Sequence, residues 1–201
     1  EVEDNRIEKA VLVGLITKNQ SEKQLMEYLD ELEFLAETAG AKTEEKFWQK
    51  MDHPEKRTYV GSGKLKEIKT FVDAYEIDMV IFDDEISPSQ QRNIEKELKC
   101  KVLDRSMLIL DIFAQRAKTL QAKTQVELAQ LQYLLPRLKG MWDHLDRVKG
   151  GIGMKGAGEK EIETDRRVAT QNIAKLKSKL ETIDKQNLTQ RKNRDGMIRV
   201  S

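Results

Sequence analysis

A chain of 201 residues, 38% hydrophobic and 35% charged, can bury one modest core; two large globular domains are excluded, and material is left over for something elongated. No run of eighteen apolar residues occurs and Glu1 to Asn5 are acidic and polar, so no membrane span or secretory signal is read and a cytoplasmic protein is expected. The net charge of +1 conceals a split: residues 1–104 hold 16 Lys/Arg against 24 Asp/Glu (−8) and residues 105–201 hold 20 against 11 (+9), which suits a scaffold followed by a half that faces a polyanion.

The first half alternates strand and helix. Ala10 to Ile16, with Val11 and Val13, reads as a strand. Asn19 to Ala39 carries Leu25, Leu29, Leu32 and Leu35 at helical spacing and stops at Gly40. Glu44 to Met51 is polar enough for an edge strand, and Gly61-Ser62-Gly63 leads into a helix with Leu65, Ile68 and Val72 on one face. Met79-Val80-Ile81-Phe82 is apolar throughout, as a strand covered on both faces must be. The next helix opens at Ser87 as N-cap, with Pro88 at the first helical position and Gln90 completing a capping box. The single cysteine, Cys100, cannot form an internal disulfide; next to Val102 and Leu103 in the last short strand, Lys101 to Asp104, it reads as a buried, inert thiol. The class that follows is α/β, a small mostly parallel sheet with flanking helices over residues 1–105.

Asp83-Asp84-Glu85 stands at the C-terminal end of the third predicted strand, where ligands of such sheets bind. One reading is a metal or acid/base site, and with the loop at Gly61 to Lys64 it defines the alternative of a nucleotide- or metal-binding enzyme. The other reading is structural, because no histidine lies nearby in sequence and acids ahead of a helix favour its dipole.

From Ser106 no glycine interrupts the chain until Gly140, and Ala117, Leu120, Leu128, Leu131, Leu135 and Leu138 recur, which predicts one long helix bent near Thr119 to Thr124. Ile162, Ala169, Ile173, Leu176, Leu180 and Ile183 are spaced by seven and then by four and three, a heptad seam. The two seams predict a long antiparallel two-helix hairpin, a coiled-coil arm over residues 106–193, with a linker at 194–201. Helices of about 25 to 30 residues would carry the hairpin's tip some 35–45 Å from its base.

The tip loop, residues 139–160, holds five Lys/Arg against three acids and six glycines, which let a partner's phosphates approach the backbone. Trp142 and His144 add flat rings able to stack on unpaired bases, and Arg147, Lys149 and Lys155 add charge. Gly151-Ile152-Gly153-Met154-Lys155-Gly156 also fits the dinucleotide pattern G-x-G-x-x-G, but a helix rather than a strand precedes it. No G-x-x-x-x-G-K-[ST] occurs: Gly63-Lys64 has Thr58 where the first glycine belongs, and Gly158 is followed by Glu159. An RNA-binding module is the leading expectation, with a coiled-coil protein-interaction arm as a rival that residues alone do not separate from it.

Several segments resemble the HflX family of ribosome-associated GTPases. They are Thr58-Tyr59-Val60-Gly61-Ser62-Gly63-Lys64-Leu65, Phe82 to Asn93, Asp104-Arg105, Leu110 to Ala117, Gln125 to Leu131, Tyr133 to Leu138, and Gly150-Gly151-Ile152-Gly153 with Glu163-Thr164-Asp165-Arg166-Arg167. The resemblance covers nearly the whole chain. It implies a ribosome-binding region whose tip loop is directed to the peptidyl-transferase region of the large ribosomal subunit, in a protein that splits or rescues ribosomes under stress. It also implies a GTPase domain holding GTP and Mg, whose first strand would begin where this chain reaches Met197-Ile198-Arg199-Val200-Ser201; no cofactor and no catalysis are expected in this chain. Partners implied are the large subunit, ribosomal RNA and the GTPase domain, with the chain itself a monomer. At matched positions the resemblance marks Trp142, His144, Gly150, Gly151, Gly153, Gly156, Gly158 and Glu159 as RNA-binding, with Arg166 and Arg167 as phosphate contacts. The chain reads Gly156-Ala157-Gly158-Glu159-Lys160 where the family has Gly-Pro-Gly-Glu-Thr, so the loop loses a proline's restriction and gains a charge.

Overall fold

The computed structural model describes residues 6–18, 20–137 and 159–195, without the side chains of 159–165 and 190–195. The described chain forms two compact units, one reaching to Ile112 and the other beginning at Phe113.

In the first unit a four-stranded sheet has the order β2-β1-β3-β4, built from β1 (Glu8–Ile16), β2 (Ala41–Lys50), β3 (Met79–Phe82) and β4 (Lys101–Asp104), and every pairing is parallel. Parallel strands need crossovers, and the crossovers here are α1 (Glu22–Thr38), α2 (Ser62–Tyr75) and α3 (Pro88–Leu98). The sequence reading of β3, β4 and the start of α3 agrees with the structure residue for residue. The polar strand is indeed at an edge, but it begins at Ala41, directly after Gly40 turns the chain with φ +96°.

The period-two alternation of β1 divides the core. Val11, Val13 and Leu15 point to one face, where Leu65, Ile68 and Val72 of α2 and Ile94 and Leu98 of α3 cover them. Ala10, Leu12 and Ile16 point to the other, against Leu25, Leu29, Leu32 and Ala36 of α1, with Leu108 and Ile112. Gly14 keeps that second face close-packed: a Cβ there would lie 2.7 Å from Leu25 Cδ1. Local chemistry sets the helix ends. Ser21 and Gln24 form a capping box that starts α1, later than the predicted Asn19, and Ser87 and Gln90 form the one read from sequence for α3. Asp104 closes β4 and accepts the Met107 N–H at 2.9 Å, so it caps α4 (Arg105–Arg116).

Cys100 is only half-buried, and burial, followed by the charges of Glu95, Asp73 and Asp78, pushes its thiol up to about 12. The thiolate is the nucleophile, so its scarcity decides reactivity. Alkylation of Cys100 in the folded chain should run more than roughly tenfold slower than in the urea-unfolded chain, against an ordinary cysteine near 8.5. Equal rates would refute the assignment of an inert thiol.

The single long helix predicted from Ser106 is in fact two. Residues 117–119 leave the helix, and α5 (Leu120–Leu134) starts afresh with Thr119 as N-cap, its hydroxyl accepting the Ala122 N–H at 3.1 Å. A threonine that offers the backbone this alternative competes with continued helix, and here the cap wins. In the first turns of α5 Leu120 is 59% exposed while Thr124 is buried, its hydroxyl donating to the Leu120 carbonyl at 2.7 Å. The core of the first unit takes in Leu108 and Ile112, which lie beyond residue 105.

Candidate nucleic-acid interface

The second unit pairs α5 with α6 (Glu159–Asp195), a helix of 37 residues and hence about 55 Å long. Ala169, Leu176 and Ile183 are buried at intervals of seven, with Ile173 and Leu180 partly buried between them, as the predicted seam requires. Ile162 belongs to the same predicted seam, but its side chain is outside the description. Gln121, at the start of α5, donates to Asp184 at 2.9 Å and accepts from Asn187 at 3.2 Å near the far end of α6, so the helices run antiparallel. Near the other end of α5, Arg137 is buried with its guanidinium carbon 3.6 Å from the Tyr133 ring centroid, and it donates to the Tyr133 carbonyl at 2.9 Å.

The predicted site residues fare unequally. Trp142, His144, Arg147, Lys149, Gly150, Gly151, Gly153, Lys155, Gly156 and Gly158 lie outside the described residues. Glu159 opens α6, with its side chain likewise outside the description. Arg166 and Arg167 are exposed, and with Thr170 and Gln171 they line a shallow depression of about 340 Å³. From Arg166 to Leu180 the helix carries no acid, while Lys175, Lys177 and Lys179 join the two arginines in solvent. Guanidinium and ammonium groups beside the Gln171 amide are donors suited to phosphate oxygens, while the Thr170 hydroxyl donates to the Arg166 carbonyl at 2.8 Å.

The rival site at the strand ends is already occupied by its own chain. Asp83 is buried and takes two bonds on Oδ1 from Arg105, at 3.0 Å from Nε and 2.5 Å from the terminal nitrogen. Arg105 also pairs with Glu31 at 3.1 Å and donates to the Tyr28 carbonyl at 3.1 Å. Burial holds the Asp83 carboxyl above its ordinary value, with Arg105 opposing. Asp84 accepts the hydroxyl of Tyr59, whose own pKa is pushed far up, first by burial and then by that bond. Tyr59 is 2% exposed, adopts a left-handed φ of 65°, and stands edge-on to Phe82 with ring centroids 5.4 Å apart. In the other loop Gly61 donates its N–H to Gln49, and Lys64 pairs with Glu67 at 2.6 Å. Beside it a depression of about 670 Å³ mixes Arg57, Lys66 and Lys69 with Glu55 and Glu97. Among the described residues, no group of three or more His, Cys, Asp or Glu is placed to hold a metal ion. Neither the sequence nor this geometry offers a phosphate-cradling P-loop, so no residue here is assigned to GTP or Mg.

The sequence reading missed Asp104 as a cap, Thr119 as a helix start, Tyr59 in its left-handed position and Lys175 to Lys179 as a cationic surface. Two of these had a legible signal: Thr119 in the bend read near it, and the lysines in the absence of acids between Arg166 and Leu180.

Comparison with known proteins bears on these two units in turn. Residues 26–114 match the family model described as GTP-binding GTPase N-terminal, and residues 116–194 the one described as GTP-binding GTPase Middle Region. The chain is 58% identical over 201 residues to the GTPase HflX of Flavobacterium psychrophilum, covering 100% of this chain and 49% of that protein. It is 44% identical over 187 residues to the GTPase HflX of Escherichia coli strain K12, covering 93% and 43%. The chain thus spans about half the length of the curated relatives it matches. A crystal structure of a GTP-binding protein from the hyperthermophilic archaeon Sulfolobus solfataricus in complex with GDP superposes with a TM-score of 0.61 at 27% identity, over 89% of this chain and 46% of that one.

Proposed function

The chain belongs to the HflX family of GTPases, and from that premise we propose that it is the ribosome-binding region of such a GTPase, meeting ribosomal RNA of the large subunit through its basic helical half. The observation that carries this reading is the concentration of unopposed exposed cations on α6, in a chain whose first 104 residues are net acidic. A polyanion is drawn to the one half and repelled from the other, which orients the chain on approach. The tip loop, residues 139–160, is the part we assign to insertion at the peptidyl-transferase region, with Trp142 and His144 stacking on bases and Arg147, Lys149, Lys155, Arg166 and Arg167 on phosphates. GTP and Mg belong to a P-loop domain in the other half of the protein, so this half supplies binding and no hydrolysis. Its setting is the cytoplasm, where splitting or rescuing stalled ribosomes under stress is the task; among the described residues, no helix is long and apolar enough to cross a membrane.

Against the enzyme alternative stands the engagement of Asp83 by Arg105 and of Asp84 by Tyr59, which leaves the strand-end acids committed within the fold. Co-sedimentation with isolated large subunits tests the proposal. The chain should pellet with them at low salt, and changing Arg147, Lys149 and Lys155 together to alanine should weaken binding on the order of tenfold at physiological salt, because fewer phosphates are neutralised. Absence of binding at low salt, indifference to that triple change, or binding that survives nuclease treatment of the RNA would each reject it.

A further inference from the structure

We infer that the sheet edge at the C-terminal end of β2 is a docking site for an extended, acid-bearing peptide segment, which adds to Trp48 and Lys50 as an antiparallel fifth strand. The inference is independent of the RNA-binding reading above and concerns the first unit alone. The two edges of the sheet are finished differently. At β4, Lys101 donates its N–H to the Asp78 carbonyl at 3.2 Å, so Lys101 faces β3 and Val102 faces outward. Both outward groups of Val102 are taken by α3: Gln91 donates to its carbonyl at 3.0 Å, and the Glu95 carboxylate accepts its N–H. These two side chains, one helical turn apart and bonded to each other at 3.1 Å, stand in for a neighbouring strand. At β2, Met51 donates its N–H to the Ile16 carbonyl at 3.0 Å, so the backbone of Glu45, Phe47 and Gln49 turns toward β1 and that of Lys46, Trp48 and Lys50 turns outward. The first part of this edge is closed as well. The register shifts opposite Ala10 and Val11, Lys42 pairs with Glu44 at 2.8 Å, and Glu45 accepts the Lys46 N–H at 2.9 Å. From Trp48 onward these devices stop: the outward N–H and C=O groups of Trp48 and Lys50 have no hydrogen-bond partner among the described residues.

The side chains around this window state what fits it. A peptide antiparallel to β2 exchanges about four backbone bonds with Trp48 and Lys50, and a parallel sheet commonly carries such an edge strand. Directly opposed residues share a face and pair by charge and shape. Lys50 is exposed and enters no ion pair among the described residues, whereas Lys46 is neutralised by Asp30 at 2.7 Å and Glu33 at 2.6 Å. The peptide residue opposite Lys50 is therefore an acid. Two residues further on, opposite the partly buried indole of Trp48, an apolar side chain fits. The residue between them turns to the other face, where Glu45, Phe47 and Gln49 with Lys64 and Glu67 of α2 line a depression of about 560 Å³. Gln49 is held there by the Gly61 N–H at 2.9 Å and Lys64 by Glu67 at 2.6 Å, so the depression is set before a peptide arrives. From N to C terminus the segment reads acid, any residue, apolar. A second copy of the chain suits the window less well: pairing two β2 edges about Trp48 sets Lys46 against Lys50 twice, and pairing them about Gln49 leaves both Lys50 side chains without an acid.

The test uses the full 201-residue chain and the synthetic peptide acetyl-Thr-Glu-Val-Val-Thr-amide, titrated to about 1 mM and followed by NMR of the protein's amides. Saturable binding is expected, with the largest shifts and new protection from hydrogen exchange at the amides of Trp48 and Lys50. Methylating the backbone nitrogen of the second valine, which faces β2, should weaken binding about tenfold, while methylating that of the first valine, which faces away, leaves it in place. On the protein side, Lys50→Pro removes the outward N–H without touching the ladder to β1, and it too should weaken binding about tenfold. Lys50→Gln keeps that N–H and loses only the charge, so it should weaken binding about threefold, and only for a peptide that carries the glutamate. Circular dichroism confirms that the variants keep the fold, and the comparison of the two methylated peptides needs no variant at all. Absence of saturable binding, equal effects of the two methylations, or a folded Lys50→Pro chain that binds as well as the original overturns the proposal. Self-association that protects the Trp48 and Lys50 amides without peptide also overturns it, because it assigns the edge to a second copy.

Discussion

Replacing Arg105 by methionine should destabilise the chain by about 3 kcal/mol or more at neutral pH, the characteristic effect of leaving a buried charge without its partner. Asp83 is 8% exposed and depends on Arg105 for both of its side-chain bonds, while Asp84 and Glu31 lie close enough to oppose its charge further. Methionine keeps the apolar stem of the arginine and removes the fork, so the loss reads the charge rather than a cavity. The pH dependence follows from the direction of the shift. Burial already raises the Asp83 carboxyl above its ordinary 3.8 despite the guanidinium, and without that guanidinium it rises further. A carboxyl whose native pKa exceeds its unfolded one favours the native state below the unfolded value, and it loses that contribution as pH climbs through the native value. The deficit of the variant is therefore largest at neutral pH and shrinks as the medium is acidified through the raised value toward the ordinary carboxylate range. Urea unfolding at neutral and at mildly acidic pH measures both quantities, and a deficit below about 1 kcal/mol, or one that is constant with pH, would contradict the argument. Glu31→Gln is the contrast. That carboxylate is largely exposed, so its pair with Arg105 is of the kind that contributes little.

Phe82→Ala should cost about 3–5 kcal/mol, through reduced burial and the cavity left behind. Phe82 ends β3, is fully buried, and pairs in register with Val13 on one side and Asp104 on the other. Its ring also supports Tyr59, and with it a loop whose left-handed tyrosine is sustained by its surroundings rather than by preference. Two backbone bonds close that loop, Glu55 N–H to the Tyr59 carbonyl and Tyr59 N–H to the Glu55 carbonyl, both 2.9 Å. Loss of the phenyl ring should release them, so the two amides become fast in hydrogen exchange beyond the global loss of stability. Phe82→Leu, which refills most of the space, should show a clearly smaller loss. Equal effects of alanine and leucine, or protection of the Glu55 and Tyr59 amides in the alanine variant, would dissociate the loop from the ring beneath it.

Both sites explain why an acidic run at strand ends is misleading when read along the chain alone. Asp83 and Asp84 look like a ligand set because they are adjacent in sequence and open a loop. Their partners, Arg105 and Tyr59, lie 22 and 25 residues away, and only the crossover geometry of the sheet brings them there. Lys64 follows the same logic. Beside Gly63 it looks like part of a phosphate loop, yet in the fold it pairs with Glu67 and stands 6.0 Å from the Phe47 ring centroid.

What could be read from residues was whatever local energetics decide. Ser87, Pro88 and Gln90 settle the start of α3 among themselves, since a hydroxyl, a fixed φ and an amide satisfy backbone groups only three residues apart. Met79 to Phe82 could be nothing but a strand covered on both faces, and the seam of Ala169, Leu176 and Ile183 needs only the period of a helix against a neighbour. The family, too, was legible from its segments. Tertiary structure alone decided the rest. Tyr59 holds a backbone conformation that no tyrosine selects unaided, and Asp83 is held by an arginine that begins another helix. The division has one physical reason: caps and periods act over three to seven residues, whereas strained backbone and buried charge persist only when distant parts of the chain supply their partners.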